Sequence, residues 1–144
     1  MRLMRVETQG IEEVLEMFDR LDANRMAIKA VDAATPTLKE SLKKRIKAAA
    51  NRKDKKGRPY SKGDLANSVI STKAKINQYG VFAAVLVRGK DRKGMRNAEK
   101  LAYLEYGVQG KQEPRPVLQK AVNDVEGKCI SIMEDIIEEE VDKM

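Results

Sequence analysis

The chain contains no histidine and no tryptophan, and it has a single cysteine among its 144 residues. The lack of histidine removes the commonest general base and metal ligand, and with it every Ser-His or Cys-His pair. Residues 89–94 are too few for a P-loop and lack the Ser or Thr that a P-loop needs. The acidic residues near the C-terminus form a run, which is typical of a solvated helix face. We therefore predict that the protein is not an enzyme and that it binds no metal and no cofactor.

Signals for membranes and secretion are also missing. No apolar run approaches the roughly 20 residues that cross a bilayer, and residues 1–10 lack the apolar region of a signal peptide. The single Cys129 cannot form an internal disulfide, and its position on an apolar helical stripe predicts core packing. We expect synthesis in the cytoplasm and no membrane partner.

What the chain has in quantity is charge, and the charge is unevenly placed. Charged residues make up 35% of the chain, the net charge is +7 and the pI is about 9.5, which favours acidic partners or nucleic acid. Residues 39–63 carry 11 Lys or Arg against two acids, whereas residues 134–144 carry six acids against one Lys. A helix C-terminus prefers cations, so this acidic end indicates a basic partner. The length and the 42% of hydrophobic residues predict one domain, residues 1–144.

The N-terminal part is predicted to be mainly helical. Residues 2–7 are typical of a short edge strand. An apolar stripe of helical spacing follows and predicts a helix, which residues 22–24 end or interrupt. A second stripe predicts a helix over residues 25–50. Within it, either Thr35 caps a new helix that begins at Pro36, or one kinked helix continues through Pro36. The unbroken phase of the stripe favours the kinked helix.

The second half of the chain predicts strands followed by helices. β-branched and apolar residues over 68–76 and 81–88 predict a β-hairpin. Residues 98–106 predict a short helix, and an apolar stripe over 116–143 predicts a long last helix. The predicted fold is therefore α+β, with long N-terminal and C-terminal helices packed on a small antiparallel β-sheet.

Two basic loops, near residues 51–63 and 88–97, are candidates for contact with DNA or with an acidic partner. The alternative is that they are solvated loops with no partner. No ladder of aromatic residues accompanies the charges, so we expect neither base stacking nor sequence-specific recognition. The candidate contact residues are Arg52, Lys53, Lys55, Lys56, Arg58, Lys62, Lys90, Arg92 and Lys93.

A first motif lies just before the predicted hairpin. Pro59 and Gly63 bracket the reversal from a long helix into the sheet, because glycine adopts backbone angles that are closed to other residues. Leu65 is predicted to anchor the chain to the core, and Ser68 leads into the first strand. The alternative for this motif alone is simple turn chemistry.

A second motif follows the hairpin. Glu105-Tyr106-Gly107 ends a short helix, and Gly107 is the residue type that accepts a left-handed C-terminal cap. Pro116 begins the last helix, where its missing N–H costs nothing. Glu105 is a candidate to pair with Arg115 or with a neighbouring subunit. Turn chemistry is again the alternative if this motif is taken alone.

Together, the two motifs resemble the small neck and tail-completion proteins of long-tailed bacteriophages, the gene-product-ten-like family. The family pattern is similar to Pro-x-x-Thr-Gly-x-Leu-x-x-Ser-Ile, a strand pair, Glu-aromatic-Gly, and Pro-aromatic-Leu-x-x-Ala before a long final helix. This chain departs from it at Lys62, where a small hydroxyl residue is usual, at Val117, where an aromatic residue is usual, and in its long basic loop near 88–97. The matching residues are Pro59, Gly63, Leu65, Ser68, Glu105, Tyr106, Gly107, Pro116, Leu118 and Ala121.

The resemblance implies a structural virion protein, made in the cytoplasm of a bacterial host and located at the head–tail junction or in the tail. It implies rings of identical subunits that contact connector and tail proteins, with DNA passing through the channel. From charge alone, the alternative function is a small cytoplasmic protein that binds nucleic acid without sequence specificity. A hydrolase is a weaker idea, because the chain has no histidine.

Overall fold

A computed structural model describes residues 2–49, 63–111 and 113–143, with the side chains of the first range described at Glu16 and from residue 22 onward. The described chain combines long helices at both ends with short antiparallel strands between them, so the predicted α+β class is confirmed. The elements in chain order are α1 (Arg2–Ala49), α2 (Asp64–Asn67), β1 (Val69–Ser71), β2 (Lys75–Asn77), β3 (Gly80–Phe82), β4 (Val85–Val87), α3 (Asn97–Tyr106) and α4 (Val117–Asp142).

Helix α1 corrects two of the predictions for the N-terminal part. Residues 2–7 belong to α1 and form no edge strand, and the helix continues without a break through residues 22–24. A segment of only six residues does not distinguish strand from helix by its periodicity. At the expected break, Asp22 forms an ion pair of 3.7 Å with Arg25 one turn later, which is a helical spacing.

The helix also continues through Pro36, so of the two interpretations the single helix is correct. Pro36 lies on the exposed side of α1, and Thr35 donates a hydrogen bond of 2.7 Å from its hydroxyl to the carbonyl of Val31. Proline inside a helix costs about 3 kcal/mol. Burial of Ala34 before it and of Leu42 after it keeps both halves of α1 packed in the fold, which offsets that cost.

The predicted hairpin over residues 68–88 is confirmed, in two successive ladders. β1 pairs with β4, with Ile70 opposite Leu86, and β2 pairs with β3, with Ile76 opposite Val81. Between the ladders, Thr72 and Ala84 exchange two hydrogen bonds of 2.9 Å, one of them through the Thr72 hydroxyl. The hydroxyl thus keeps the hairpin continuous where the strand pattern is interrupted.

Helix α4 packs antiparallel along α1. The buried Ser41 hydroxyl donates to the carbonyl of Ala121 near the start of α4, at 2.9 Å. Near the other end, Lys29 pairs with Glu140. Between these contacts, the Cys129 thiol faces α1 and lies 3.7 Å from the carbonyl of Ala34. Cys129 is half-buried and its pKa is raised by burial, as expected for a packed thiol.

The main core lies at the C-terminal end of α1 and the N-terminal end of α4. Helices α2 and α3 and the base of the hairpin pack against these two helix ends. None of the described helices is long and apolar enough to cross a membrane. The buried core residues are Leu42, Ile46, Leu65, Ala66, Val69, Val87, Leu101, Val117 and Ala121.

Candidate functional site: two converging motifs and a basic loop

The first motif shapes the entry into the hairpin. Gly63 adopts φ +86° and ψ 6°, a left-handed conformation that favours glycine, immediately before α2. Leu65 is 6% exposed and lies in the core, as predicted. The Ser68 hydroxyl donates to the carbonyl of Leu65 at 2.6 Å, which fixes the turn into β1. Pro59 lies outside the described residues.

The second motif supplies a cap for α4. The carboxylate of Glu105 in α3 accepts hydrogen bonds from the backbone N–H groups of Leu118, at 2.7 Å, and Gln119, at 3.4 Å. Helix α4 lacks a local cap, because Pro116 makes no side-chain capping bond and the first turn contains no acidic residue. A negative charge from α3 therefore meets the unsatisfied donors and the positive end of the helix dipole.

The suggested pairing of Glu105 with Arg115 is wrong within this chain. The Arg115 guanidinium donates at 2.8 Å to the carbonyl of Ala49, the last residue of α1, and the Arg115 backbone N–H donates at 2.6 Å to the carbonyl of Leu104. Glu105 thus caps the start of α4, and Arg115 caps the end of α1. Sequence reasoning missed these roles because each partner lies 11 or more positions away.

The two motifs converge in the same core. Leu65 from the first motif and Ala121 from the second belong to one buried cluster, and Leu118 packs against it. Gly107 ends α3 at φ +74° and ψ 179°, so its φ is positive as predicted, although its ψ lies outside the left-handed helical region. Val117, where the family pattern has an aromatic residue, is 2% exposed. The remaining motif residues differ in burial, with Pro116 half-buried and Tyr106 78% exposed.

The basic loop near residues 88–97 is organised around one carboxylate. Asp91 accepts hydrogen bonds of 2.9 Å from the backbone N–H groups of both Lys93 and Met95, and its own N–H donates to the carbonyl of Met95 at 2.8 Å. Lys100 in α3 forms an ion pair with Asp91, and this hydrogen bond is the main cause that lowers the pKa of Asp91. The buried Asn97 side chain closes the loop by donating to the carbonyl of Arg88 at 2.9 Å. The loop therefore has a defined shape.

The cations of this loop fall into two groups. Arg92 pairs with Asp64 at 3.2 Å, and Arg96 pairs with Glu99 at 3.0 Å. Arg88, Lys90 and Lys93 are exposed and have no ion-pair partner within the part of the chain that the structure describes. Of the predicted contact residues of this loop, Lys90 and Lys93 are thus available to a partner, and Arg92 already has one. The six candidates of the other basic loop, from Arg52 to Lys62, lie outside the described residues.

The opposite charge is concentrated at the far end of α4. Glu140 is held by Lys29, whose hydrogen bond lowers the pKa of the Glu140 carboxyl. Five further carboxylates of this end are exposed and have no ion-pair partner among the described residues. They are Glu134, Asp135, Glu138, Glu139 and Asp142.

An open groove of about 760 Å³ runs between α1 and α4. Arg45 and Asp124 bridge it with two hydrogen bonds of 2.5 and 2.6 Å, which lower the pKa of Asp124. The Ser41 hydroxyl in its wall is already bonded to Ala121. Among the described residues, no three Cys, Asp or Glu side chains are grouped so that they could hold a metal ion.

Comparison of the chain with protein-family models, with curated proteins and with solved structures found no match.

Proposed function

We propose that this chain is a non-enzymatic structural protein of the head–tail junction or tail of a long-tailed bacteriophage, where it assembles with itself and with connector and tail proteins. The proposal starts from the resemblance of the two motifs to the neck and tail-completion family. It gains support from the α+β fold, which is the arrangement that the resemblance implies.

One observation carries most of the weight: the two motifs form one scaffold. Leu65 and Ala121 lie in the same buried cluster although they are 56 positions apart. Glu105 of the second motif caps the helix that carries Ala121, and Gly63 sets the turn before Leu65. A common scaffold gives a reason why these residues occur together in this order.

Deletion of the gene in the phage or prophage that encodes the chain tests the proposal. We expect lysates that contain DNA-filled heads and tails that are not joined, or tails that are unstable, with infectivity restored by a plasmid copy of the gene. Electron microscopy of the lysates and plaque counts provide the measurement. Normal numbers of infectious, fully joined particles from the deletion strain would contradict the proposed function.

A second candidate function is binding of nucleic acid without sequence specificity. The three exposed cations Arg88, Lys90 and Lys93 favour it, because they have no ion-pair partner among the described residues and such groups can contact phosphates. This function predicts binding to plain duplex DNA whose affinity falls steeply with salt, and the double variant Lys90→Gln/Lys93→Gln should reduce the salt slope by about 2. Absence of binding at low salt would contradict it.

A further inference from the structure

We propose that the 88–97 loop of one copy of this chain docks on an acidic, partly apolar strip of α4 on the next copy, in a head-to-tail contact. This inference rests on the proposed assembly role and names the two surfaces that form the contact between copies. We define the α4 strip by Ile130, Glu134, Ile137, Glu138 and Val141.

The α4 strip combines exposed apolar side chains with exposed carboxylates that have no ion-pair partner in the described part of the chain. Ile130, Ile137 and Val141 are 45%, 42% and 52% exposed, and their spacing of seven and four residues places them on one helix face. Glu134 and Glu138 continue the row of Ile130 at intervals of four residues, so the carboxylates border the apolar side chains. Exposed apolar groups with a polar border are typical of protein contact surfaces.

The 88–97 loop offers the complementary chemistry. It carries the exposed cations Arg88, Lys90 and Lys93, and Met95 in the same loop is 43% exposed. Methionine adapts its shape to irregular apolar surfaces. Asp91 holds the loop in one conformation, so little conformational entropy is lost when the loop binds.

Within one chain, the two surfaces cannot meet. Val87 and Leu101, on either side of the loop, share the core with Val117 at the start of α4. The strip begins 13 residues further along α4, at Ile130, and ends at Val141. At 1.5 Å per helical residue, it lies about 20 to 36 Å from that core. Only a second copy can bring a loop to the strip.

Charge complementarity favours binding of the α4 strip to the loop of a second copy, and disfavours its binding to the α4 strip of a second copy. Two strips packed side by side in parallel would bring unpaired carboxylates such as Glu134 and Glu138 together, which is repulsive. The cations of the loop that have no ion-pair partner among the described residues, Arg88, Lys90 and Lys93, carry the opposite charge, and its one carboxylate, Asp91, is paired with Lys100. Because the two surfaces differ, any open assembly has one free loop at one end and one free strip at the other. Such a contact closes into a ring if the rotation permits and otherwise continues as a filament.

Charge reversal tests the contact. The loop variant is Lys90→Glu/Lys93→Glu, and the strip variant is Glu134→Lys/Glu138→Lys. In sedimentation velocity at low salt, we expect the wild-type chain to associate and each variant alone to associate roughly tenfold or more weakly. An equimolar mixture of the two variants should recover association, because each loop then meets a strip of opposite charge. The variant that carries all four substitutions should recover it as well.

Two controls exclude misfolding and general stickiness. All four substituted residues are exposed, so thermal unfolding followed by circular dichroism should be close to that of wild type. Ile137→Ser should weaken association, whereas Tyr79→Ser should not, although Tyr79 at the hairpin turn is 87% exposed. A wild-type chain that stays monomeric at every concentration would overturn the proposed contact. So would variants that associate like wild type, or a mixture that does not recover.

The outcome is separable from that of the gene deletion. A deletion strain that fails to join heads and tails, together with a purified chain that stays monomeric, would remove the contact and leave the proposed function. Association that follows the charge reversals, together with a fully infectious deletion strain, would remove the proposed function and leave the contact.

Discussion

The Glu105 cap gives the sharpest test of how the second motif works. Substitution by alanine removes a carboxylate that accepts hydrogen bonds from the N–H groups of Leu118 and Gln119. Those N–H groups lie in the first turn of α4, which has no side-chain cap of its own. The variant therefore leaves the donors of a 26-residue helix without this partner.

The expected loss of stability follows from two contributions. Removing an N-terminal cap costs about 1 kcal/mol, with a range of about 0.5 to 2 kcal/mol. Removing a negative charge from the positive end of a helix adds about 0.3 to 1 kcal/mol. For Glu105→Ala we therefore expect a loss of about 1 to 2 kcal/mol in the free energy of unfolding. Glu105→Gln keeps an acceptor oxygen and should lose about half as much.

Urea denaturation followed by circular dichroism measures these differences. With a slope of about 2 kcal/mol per molar urea, the midpoint of Glu105→Ala should fall by about 0.5 to 1 M. The control is Glu113→Ala, an exposed residue of the loop before α4, which should change stability by less than about 0.5 kcal/mol. If Glu105→Ala is no less stable than this control, the capping argument is wrong.

Three further changes test other parts of the structure by the same denaturation assay. Gly107→Ala should destabilise the protein by about 1 to 3 kcal/mol, because a positive φ with extended ψ is almost restricted to glycine. Gly127 lies within α4 with open space around it, so Gly127→Ala should stabilise the protein by about 0.5 to 1 kcal/mol. Equal effects of the two substitutions would contradict the backbone argument. Ser41→Ala removes the hydrogen bond between α1 and α4 and should cost about 1 kcal/mol; an unchanged midpoint would count against that bond. Asp91→Asn should destabilise at neutral pH. Because the pKa of Asp91 is lowered in the folded state, the difference from wild type in the free energy of unfolding should shrink as the pH falls below the ordinary Asp value of 3.8 and should be lost as the pH falls through the lowered pKa; a difference that does not shrink as the pH falls would refute the ion-pair explanation.

Local sequence patterns predicted those elements whose signals lie within a few residues. The hairpin followed from β-branched residues on both sides of a short turn, and α4 followed from an apolar stripe that continues past Cys129 for several turns. Gly63 and Gly107 were placed at chain reversals because glycine tolerates positive φ, and both have it. For the 88–97 loop the sequence predicted only basic charge. The available sequence signal for the turn in this loop was Asp91 followed three positions later by Gly94.

Errors arose where the local signal was ambiguous or where contacts with distant residues outweigh it. Residues 2–7 were expected to form a strand and residues 22–24 to end or interrupt a helix, but both segments lie within α1. Pro36 remains inside the helix because residues on both sides of it are packed in the fold. The partner of Glu105 could not be read from its neighbours in sequence, since the donors that it meets belong to the next helix.

The sequence by itself determined the α+β class, the hairpin, the last two helices and the separation of basic from acidic segments. The tertiary structure decided that α1 is one continuous helix and that Glu105 caps the start of α4 while Arg115 caps the end of α1. It also decided that the exposed cations of the 88–97 loop and the exposed carboxylates lie near opposite ends of α4. The physical reason is the sequence separation over which each kind of interaction acts. Periodicity and turn chemistry act over a few residues, whereas helix capping between elements and the distance between charged surfaces depend on which helices pack together.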